Sequence, residues 1–208
     1  MQVKRVVKSS VKDANLIEKR REQIISGAVQ LFKVKGFHRA TTREIAKAAG
    51  FSIGTLYEYI RTKEDVLYLV CDSIYNEVQR RLSTVADHAG DINGLRMAID
   101  AYYRLIDNMS DEFVVMYQES KSLPKDALQY VLKKEMEMVA LFEGLLSTCV
   151  HSGELRIGEE EVPATAHHIV VIGQMWAFRR WALQRDYSID DFIRYQTDQI
   201  MNGIVKSS

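Results

Sequence analysis

Several uncharged side chains between residues 41 and 60 carry groups that could contact the bases of DNA. Thr42, Ser52, Thr55 and Tyr57 supply hydroxyl groups, and Ile53 supplies methyl groups. Hydroxyl groups donate to or accept from base edges in the DNA major groove, and apolar side chains contact thymine methyl groups. These residues therefore predict a surface that reads duplex DNA, provided that the fold brings them to one side.

Two short helices joined by a tight corner would place these residues together. Thr41 and Glu44 fit the Ser/Thr-x-x-Glu pattern of a capping box, which predicts a helix that ends before Gly50. Ser52 is a second N-cap candidate and predicts another helix over residues 53–60. This arrangement is typical of a helix-turn-helix, in which the second helix enters the major groove.

Phosphate contacts are expected at the starts of three helices, because free backbone amides at helix N-termini bind anions. The third start follows Thr62, with Asp65 at the box position and Lys63 in the first turn. Glycine at position 54 should make the helix about 1 kcal/mol less stable than alanine would. We therefore expect the missing side chain to serve another purpose, the close approach of the helix to a phosphate group. The predicted DNA-binding residues are Thr41, Thr42, Arg43, Ser52, Ile53, Gly54, Thr55, Tyr57, Tyr59 and Lys63.

The run from Gly50 to Glu64, Gly-Phe-Ser-Ile-Gly-Thr-Leu-Tyr-Glu-Tyr-Ile-Arg-Thr-Lys-Glu, resembles the signature of TetR-type transcriptional regulators. Their pattern is roughly G-V-S-x-G-x-L-Y-x-Y-F-x-x-K-E, and the resemblance covers residues 16–70. Phe51 replaces the usual valine and Ile60 the usual phenylalanine, which we interpret as a paired exchange of core volume. The resemblance implies a dimeric, ligand-responsive regulator that binds a palindromic operator, and most often a repressor.

Charge is distributed unevenly along the 208 residues, although the formal net charge is zero. Residues 1–65 hold 14 Lys and Arg against 7 Asp and Glu, whereas residues 66–208 hold 14 against 21. A basic module on an acidic remainder suits attraction to DNA. A chance distribution of solvated charges is the alternative interpretation.

The chain as a whole predicts an all-α protein, because it has two prolines and no sustained alternation of apolar and polar residues. We expect a basic, disordered arm over residues 1–15, or alternatively an arm that reaches into the minor groove. A three-helix helix-turn-helix domain is expected over residues 16–61. A C-terminal helical domain for ligand binding and dimerisation would cover residues 62–208, with residues 62–82 as a connecting helix.

Aromatic and methionine side chains in the C-terminal domain admit two interpretations. At helical spacing they are most simply core, but the resemblance implies a ligand pocket, and family members that sense fatty acids or acyl-CoA suggest the effector class. The predicted pocket residues are Tyr103, Met116, Tyr117, Met138, Phe142, Met175 and Trp176. Family members also pair their last two helices in a four-helix bundle, which implies a homodimer interface at Val170, Gly173, Ala177, Phe192, Ile193 and Ile200.

Other functions find less support in the sequence. Cys71 and Cys149 are isolated, and no leader or membrane-spanning segment is expected, which favours the cytoplasm. His167 and His168 would point about 100° apart on a helix, so we expect no metal site, and we expect no cofactor. The alternative function is an effector-independent DNA-organising or protein-interaction module. An enzyme is disfavoured, because no nucleophile elbow or Gly-rich cofactor loop occurs.

Overall fold

The computed structural model describes residues 7–86 and 91–205, without the side chains of residues 84–86. Within these ranges the structure is helical, as predicted, and it contains no strand apart from one isolated bridge between Leu155 and Val205. The helices are α1 (Ala14–Lys35), α2 (Thr42–Ala48), α3 (Ile53–Tyr59), α4 (Lys63–Ala86), α5 (Ile92–Asn108), α6 (Ser110–Glu119), α7 (Lys125–His151), α8 (Val162–Phe178), α9 (Arg180–Asp186) and α10 (Ile189–Ile204). None of these helices has the length and apolar character that a membrane span requires.

Local sequence signals determine several helix ends. The α2 capping box forms in full between Thr41 and Glu44, and the Ser52 hydroxyl accepts from the Thr55 amide at the start of α3. Ser188 and Asp191 form the same box at the start of α10. Gly36 follows α1 with φ 79°, a left-handed conformation that glycine adopts without steric cost. The caps predicted at Thr41 and Ser52 are confirmed.

The chain divides into two compact units, and both α4 and α7 contribute residues to each. The first unit contains Met1–Ile74 and Asp111–Lys133, and the second contains Tyr75–Ser110 and Lys134–Ser208. This division differs from the predicted boundary after residue 61. The difference arises because the first half of α4, α6 and the start of α7 pack with the helix-turn-helix.

In the first unit, α1 packs against α2 and α3 around a core that includes Ile24, Phe32, Ile45 and Leu56. Polar contacts also join α6 and the turn after it to the end of α1. Asp111 pairs with Lys33 at 2.6 Å and accepts from Gln30, Glu119 accepts from the Phe37 amide, and the Ser122 hydroxyl contacts His38 Nε2. The segment from 111 to 122 is therefore part of the same folded body as the helix-turn-helix.

The second unit is built around α5, which packs against α8 and α10. The centroid of the Phe192 ring lies 5.7 Å from that of Tyr103 and 4.9 Å from that of Trp176. The Tyr103 hydroxyl donates to the Ile169 carbonyl at 3.1 Å, and the indole N–H of Trp176 donates to Asp107 at 2.7 Å. Each of these two polar atoms is therefore paired within a closely packed core.

Local contacts also define helix ends after residue 90. Ser110 is the first residue of α6, and its hydroxyl donates back to the Ile106 and Asp107 carbonyls. Arg179 separates α8 from α9. Asp91 caps the first turn of α5, where its side chain accepts from the Gly94 amide.

Candidate DNA-binding surface

The outer sides of α2 and α3 meet at a hydrogen bond between two of the predicted reading residues. Thr42 Oγ1 and Tyr57 Oη lie 3.1 Å apart, and Tyr57 is 50% exposed, the ring standing on the surface of α3. The contact restricts the ring of Tyr57, because a hydrogen-bonded phenol has fewer orientations than a free one. Thr42 and Tyr57 thus form one joint polar feature across the two helices.

The first turn of α3 presents the other predicted reading groups. Ser52 and Gly54 are exposed, and Ile53 and Thr55 are half-buried. The hydroxyl groups of Ser52 and Thr55 lie 3.0 Å apart while Ser52 caps the helix. Arg43 is exposed on α2. Side-chain contacts thus join Thr42 to Tyr57 and Ser52 to Thr55, while Arg43 and Gly54 are exposed on the same two helices.

Thr41 has a structural role in this surface, because both directions of its capping box are used. Its hydroxyl accepts from the Glu44 amide at 3.3 Å, and its own backbone amide donates to the Glu44 carboxylate at 3.0 Å. Lys35 pairs with the same carboxylate at 2.5 Å. The hydrogen bond from Lys35, followed by those from Thr41, lowers the pKa of Glu44 to about 2. The charged form of Glu44 thus ties the end of α1 to the start of α2.

Protonation of Glu44 at low pH should weaken this contact between α1 and α2. A carboxyl group whose pKa is lowered on folding stabilises the fold above its ordinary pKa, here 4.5, and loses that effect as the pH falls through about 2. We expect Glu44→Gln to be less stable than the native chain at pH 7, with a difference that shrinks between about pH 4.5 and pH 2. Urea denaturation at several pH values measures this difference. The same substitution at exposed Glu18 is the control, and a Glu44→Gln difference that does not change with pH would contradict the assignment.

Tyr59 does not lie on the outer side of α3, and this prediction is wrong. Only 3% of Tyr59 is exposed, and its ring stacks against Phe51 at 6.4 Å. Tyr59 follows Leu56 by three positions, so helical geometry turns both side chains to the same inner face. Its hydroxyl group suggested a surface position, but the apolar ring determines where the side chain lies.

Lys63 was expected to hold a phosphate, but its ammonium group is already engaged by the protein. Nζ donates to the carbonyl groups of Phe37, His38 and Ala40 at 3.0, 3.1 and 3.4 Å. It also lies 4.5 Å from the centre of the Phe37 ring, within the range of a cation–π contact. Lys63 thus joins the start of α4 to the turn before α2, and its first role is to position that turn.

The N-terminal segment contributes to this region in a way that the sequence analysis missed. Val7 is buried, Arg21 donates to its carbonyl at 2.5 Å, and the Ser10 amide donates to the Glu58 carbonyl near the end of α3 at 2.9 Å. The expectation of disorder is therefore wrong for residues 7–13, while residues 1–6 lie outside the described residues. The apolar Val7 among lysines and the helix-capping Asp13 were the available signals.

The seven predicted pocket residues are divided between the two units. Met116 and Tyr117 belong to the first unit, and the other five belong to the second. Tyr103, Phe142 and Trp176 are packed core residues of the second unit, and Met138 lines a groove there, beside Tyr75. A ligand pocket at these residues therefore stays a prediction. Among the described residues, no group of three or more His, Cys, Asp or Glu could hold a metal ion.

The predicted dimer residues are also buried within a single chain. All six lie on the buried side of α8 or α10: Val170, Gly173, Ala177, Phe192, Ile193 and Ile200. A Cβ at Gly173 would lie 2.7 Å from the Tyr103 ring, so the missing side chain allows α8 to approach α5. These six residues stabilise the fold of one chain, and the prediction that they form the interface is wrong.

Comparisons with known proteins agree with this architecture. Residues 24–68 match the family "Bacterial regulatory proteins, tetR family", and residues 92–179 match "Tetracyclin repressor-like, C-terminal domain". The transcriptional regulator HbdR of Aromatoleum sp. (strain CIB) is 30% identical over 191 residues, which are 90% of this chain and 81% of that protein. The fatty acid metabolism regulator protein of Bacillus subtilis (strain 168) is 26% identical over 65% of this chain and 71% of its own.

A solved structure shares the fold at lower sequence identity. AibR, in complex with isovaleryl coenzyme A and operator DNA, superposes with a TM-score of 0.74 and 18% identity. The superposition covers 86% of this chain and 97% of AibR. The likeness therefore extends over both the helix-turn-helix and the C-terminal helices.

Proposed function

Because the chain belongs to the TetR family of DNA-binding transcriptional regulators, we propose that it is a dimeric repressor that leaves a palindromic operator when a small effector binds. The observation that carries the proposal is the joint surface of α2 and α3, with the bonded pair Thr42 and Tyr57 at its centre. Uncharged hydroxyl and methyl groups there suit readout of base edges and DNA shape. Exposed Lys8 and Lys12 next to this module would add phosphate contacts.

Selection of binding sites from random DNA tests the operator proposal. The purified chain should enrich one inverted repeat, and footprinting should show protection of both half-sites, because a two-fold dimer presents two reading helices to the duplex. An effector-independent DNA-organising protein is the rival function. That rival predicts enrichment of no sequence and protection of no discrete site, and either result would overturn the repressor proposal.

We propose that the effector binds in the second unit and is largely apolar, with a fatty acid or an acyl-CoA as the first class to test. Two similarities support this class: the Bacillus subtilis relative regulates fatty acid metabolism, and AibR was solved with isovaleryl coenzyme A. Helix α4 runs from the first unit into the second and is the proposed transmitter. An effector can release DNA only by favouring one conformation, typically by about 1–3 kcal/mol.

The proposed dimer interface is the outer face of α8 and α10, in place of the buried inner face. Val171 is 50% exposed on α8 and Tyr195 is 48% exposed on α10, which leaves large apolar groups in solvent in the single chain. Regulators of this family are dimers, so a second copy is the proposed partner of this face. Burial of these side chains against a second copy would supply the apolar contact that a stable dimer needs.

Val171→Asp should therefore give a monomer with weak operator binding. An unpaired carboxylate buried in the interface would cost several kcal/mol, which corresponds to a loss of operator affinity of about 100-fold or more. Sedimentation and fluorescence anisotropy measure the two effects. Val34→Asp is the matched control, because Val34 is exposed on α1 in the first unit. A Val171→Asp protein that remains dimeric would rule out this face.

The proposed location is the cytoplasm, where a regulator meets chromosomal DNA. No catalytic role is proposed, since the relatives named above are transcriptional regulators.

A further inference from the structure

The carbonyl group of Glu58 lies near the end of α3, where the helix stops supplying hydrogen-bond donors. The amides of Arg61 and Thr62, three and four positions later, would continue the helix, but they donate to the Asp65 carboxylate at 3.1 Å and 3.0 Å. The last carbonyl groups of a helix need donors from elsewhere in the protein or from water. The end of α3 therefore depends on groups outside the helix.

The N-terminal segment, residues 7–13, supplies donors to this carbonyl group. The Ser10 amide donates to the Glu58 carbonyl at 2.9 Å, and the Ser9 hydroxyl donates to it at 2.8 Å. The Ser9 hydroxyl also accepts from the Val11 amide at 3.2 Å, so it is held by two hydrogen bonds. Residues 48 and 49 positions apart in the chain are thus joined at the end of α3.

Arg21 on α1 connects the same segment to the next carbonyl group of α3. Its guanidinium group donates to the Val7 carbonyl at 2.5 Å and to the Tyr59 carbonyl at 3.4 Å. A guanidinium group can serve two acceptors at once, because it carries five donors in a planar fork. Val7 is itself buried, with 6% of the residue exposed. The segment is therefore anchored at Val7 as well as at Ser9 and Ser10.

We propose that residues 7–10 and Arg21 form a clamp that sets the orientation of α3, and that this clamp determines how well the protein distinguishes its operator from other DNA. The inference rests on the proposed function and adds positioning residues to it. Helix α3 has only seven residues, and a helix this short is not stable alone. Without the clamp, α3 keeps its outer side chains but not their alignment with the base edges. Attraction to the phosphate groups is unaffected, because it does not depend on that alignment.

The lysines of the N-terminal segment act differently from the clamp. Lys8 and Lys12 are exposed, so their ammonium groups are accessible to phosphate. Loss of one phosphate contact reduces the log–log slope of affinity against salt by about 0.9 for any duplex. The hydroxyl group of Ser9 carries no charge, so its loss leaves this slope unchanged. Sequence preference and salt dependence therefore separate the two roles.

Two neighbouring substitutions in the full-length chain test the proposal. Ser9→Ala should lower the ratio of operator affinity to random-duplex affinity about three- to tenfold, the effect of one hydrogen bond, with a native salt slope. Lys8→Ala is the matched control: it should weaken binding to both DNAs alike and keep the native ratio. Fluorescence anisotropy over a range of salt concentrations measures ratio and slope. A native ratio in Ser9→Ala, or an equal fall of the ratio in Lys8→Ala, would overturn the proposal.

Hydrogen exchange tests the clamp without DNA. Val7→Ser removes the buried apolar anchor, so the Ser10 amide and the amides of α3 should exchange at least tenfold faster, while those of α5 in the second unit keep their native rates. Val34→Ser is the control, because Val34 is 85% exposed on α1. Native exchange rates in α3 of Val7→Ser would overturn the proposal. Equal acceleration in α3 and α5 would do the same, since it would show an effect on global stability alone.

Selection of an operator by the native chain distinguishes failure of this proposal from failure of the proposed function. A native chain that enriches one inverted repeat, with a native affinity ratio in Ser9→Ala and Val7→Ser, would overturn the clamp alone. A native chain that enriches no sequence would overturn the proposed function, and the exchange rates of α3 would still decide whether the segment holds that helix.

Discussion

Gly27→Ala is expected to separate α1 from α2 and to abolish operator binding. A Cβ at Gly27 would lie 2.8 Å from the carbonyl carbon of Ala48 and from the amide nitrogen of Ala49. These are backbone atoms, so no side chain can rotate away and α2 itself must move. Overpacking of this kind costs about 1–3 kcal/mol, and here it also displaces the helix that supports α3. Urea denaturation and fluorescence anisotropy on operator DNA measure both effects.

Gly54→Ala is the matched control for this prediction. A Cβ at Gly54 would have Ser52 Oγ as its nearest neighbour at 3.7 Å, which is an ordinary contact. Alanine is favoured over glycine by up to about 1 kcal/mol inside a helix, so stability should stay equal or rise. Operator affinity should still fall, because the methyl group would stand between α3 and the phosphate backbone. Native stability and native operator affinity in Gly27→Ala would contradict the packing argument.

Lys63→Met is expected to weaken the fold and DNA binding together. Methionine keeps most of the side-chain stem but removes the ammonium group that donates to three carbonyl groups. Loss of these hydrogen bonds from a half-buried cation should destabilise the chain by about 2 kcal/mol. Operator affinity should fall at every salt concentration, because the turn that leads into α2 is no longer held.

The salt dependence of binding distinguishes this positioning role from a phosphate contact. A lost phosphate contact reduces the log–log slope of affinity against salt by about 0.9, whereas a lost positioning contact leaves the slope unchanged. We expect an unchanged slope for Lys63→Met. Lys47→Met, at an exposed position on α2, should leave stability unchanged. A reduced slope with native stability in Lys63→Met would restore the phosphate assignment.

The helix starts could be predicted from the sequence, because the groups that form each cap are close together in the chain. The boxes at Thr41 and Ser188 and the cap at Ser52 involve groups three residues apart, so their spacing is sufficient to predict them. The Thr42 and Tyr57 hydroxyls were both predicted on the reading surface, although their hydrogen bond depends on how α2 and α3 cross. The reading surface is thus largely encoded in residues 41–57.

The sequence was a poorer guide to which side chains meet in the folded chain, and the physical reason differs between sites. Gly173 and Ala177 have the small side chains that permit close helix approach, but the sequence does not say whether the neighbour is α5 or another chain. The sequence alone does not show that the Lys63 ammonium group is bound within the protein, because the carbonyl groups that accept from it lie more than 20 residues earlier. Glu135 could not be placed beside Tyr75 and Gln174, because two other helices supply these partners.

The most direct test of the account is the ratio of specific to non-specific affinity for Tyr57→Ala. Binding to the selected operator and to random duplex DNA should be measured at the same salt concentration. If the outer face of α3 reads the bases, the ratio should fall towards one while non-specific affinity stays native, because Tyr57 carries no charge. A native ratio in Tyr57→Ala would show that the bases are read elsewhere.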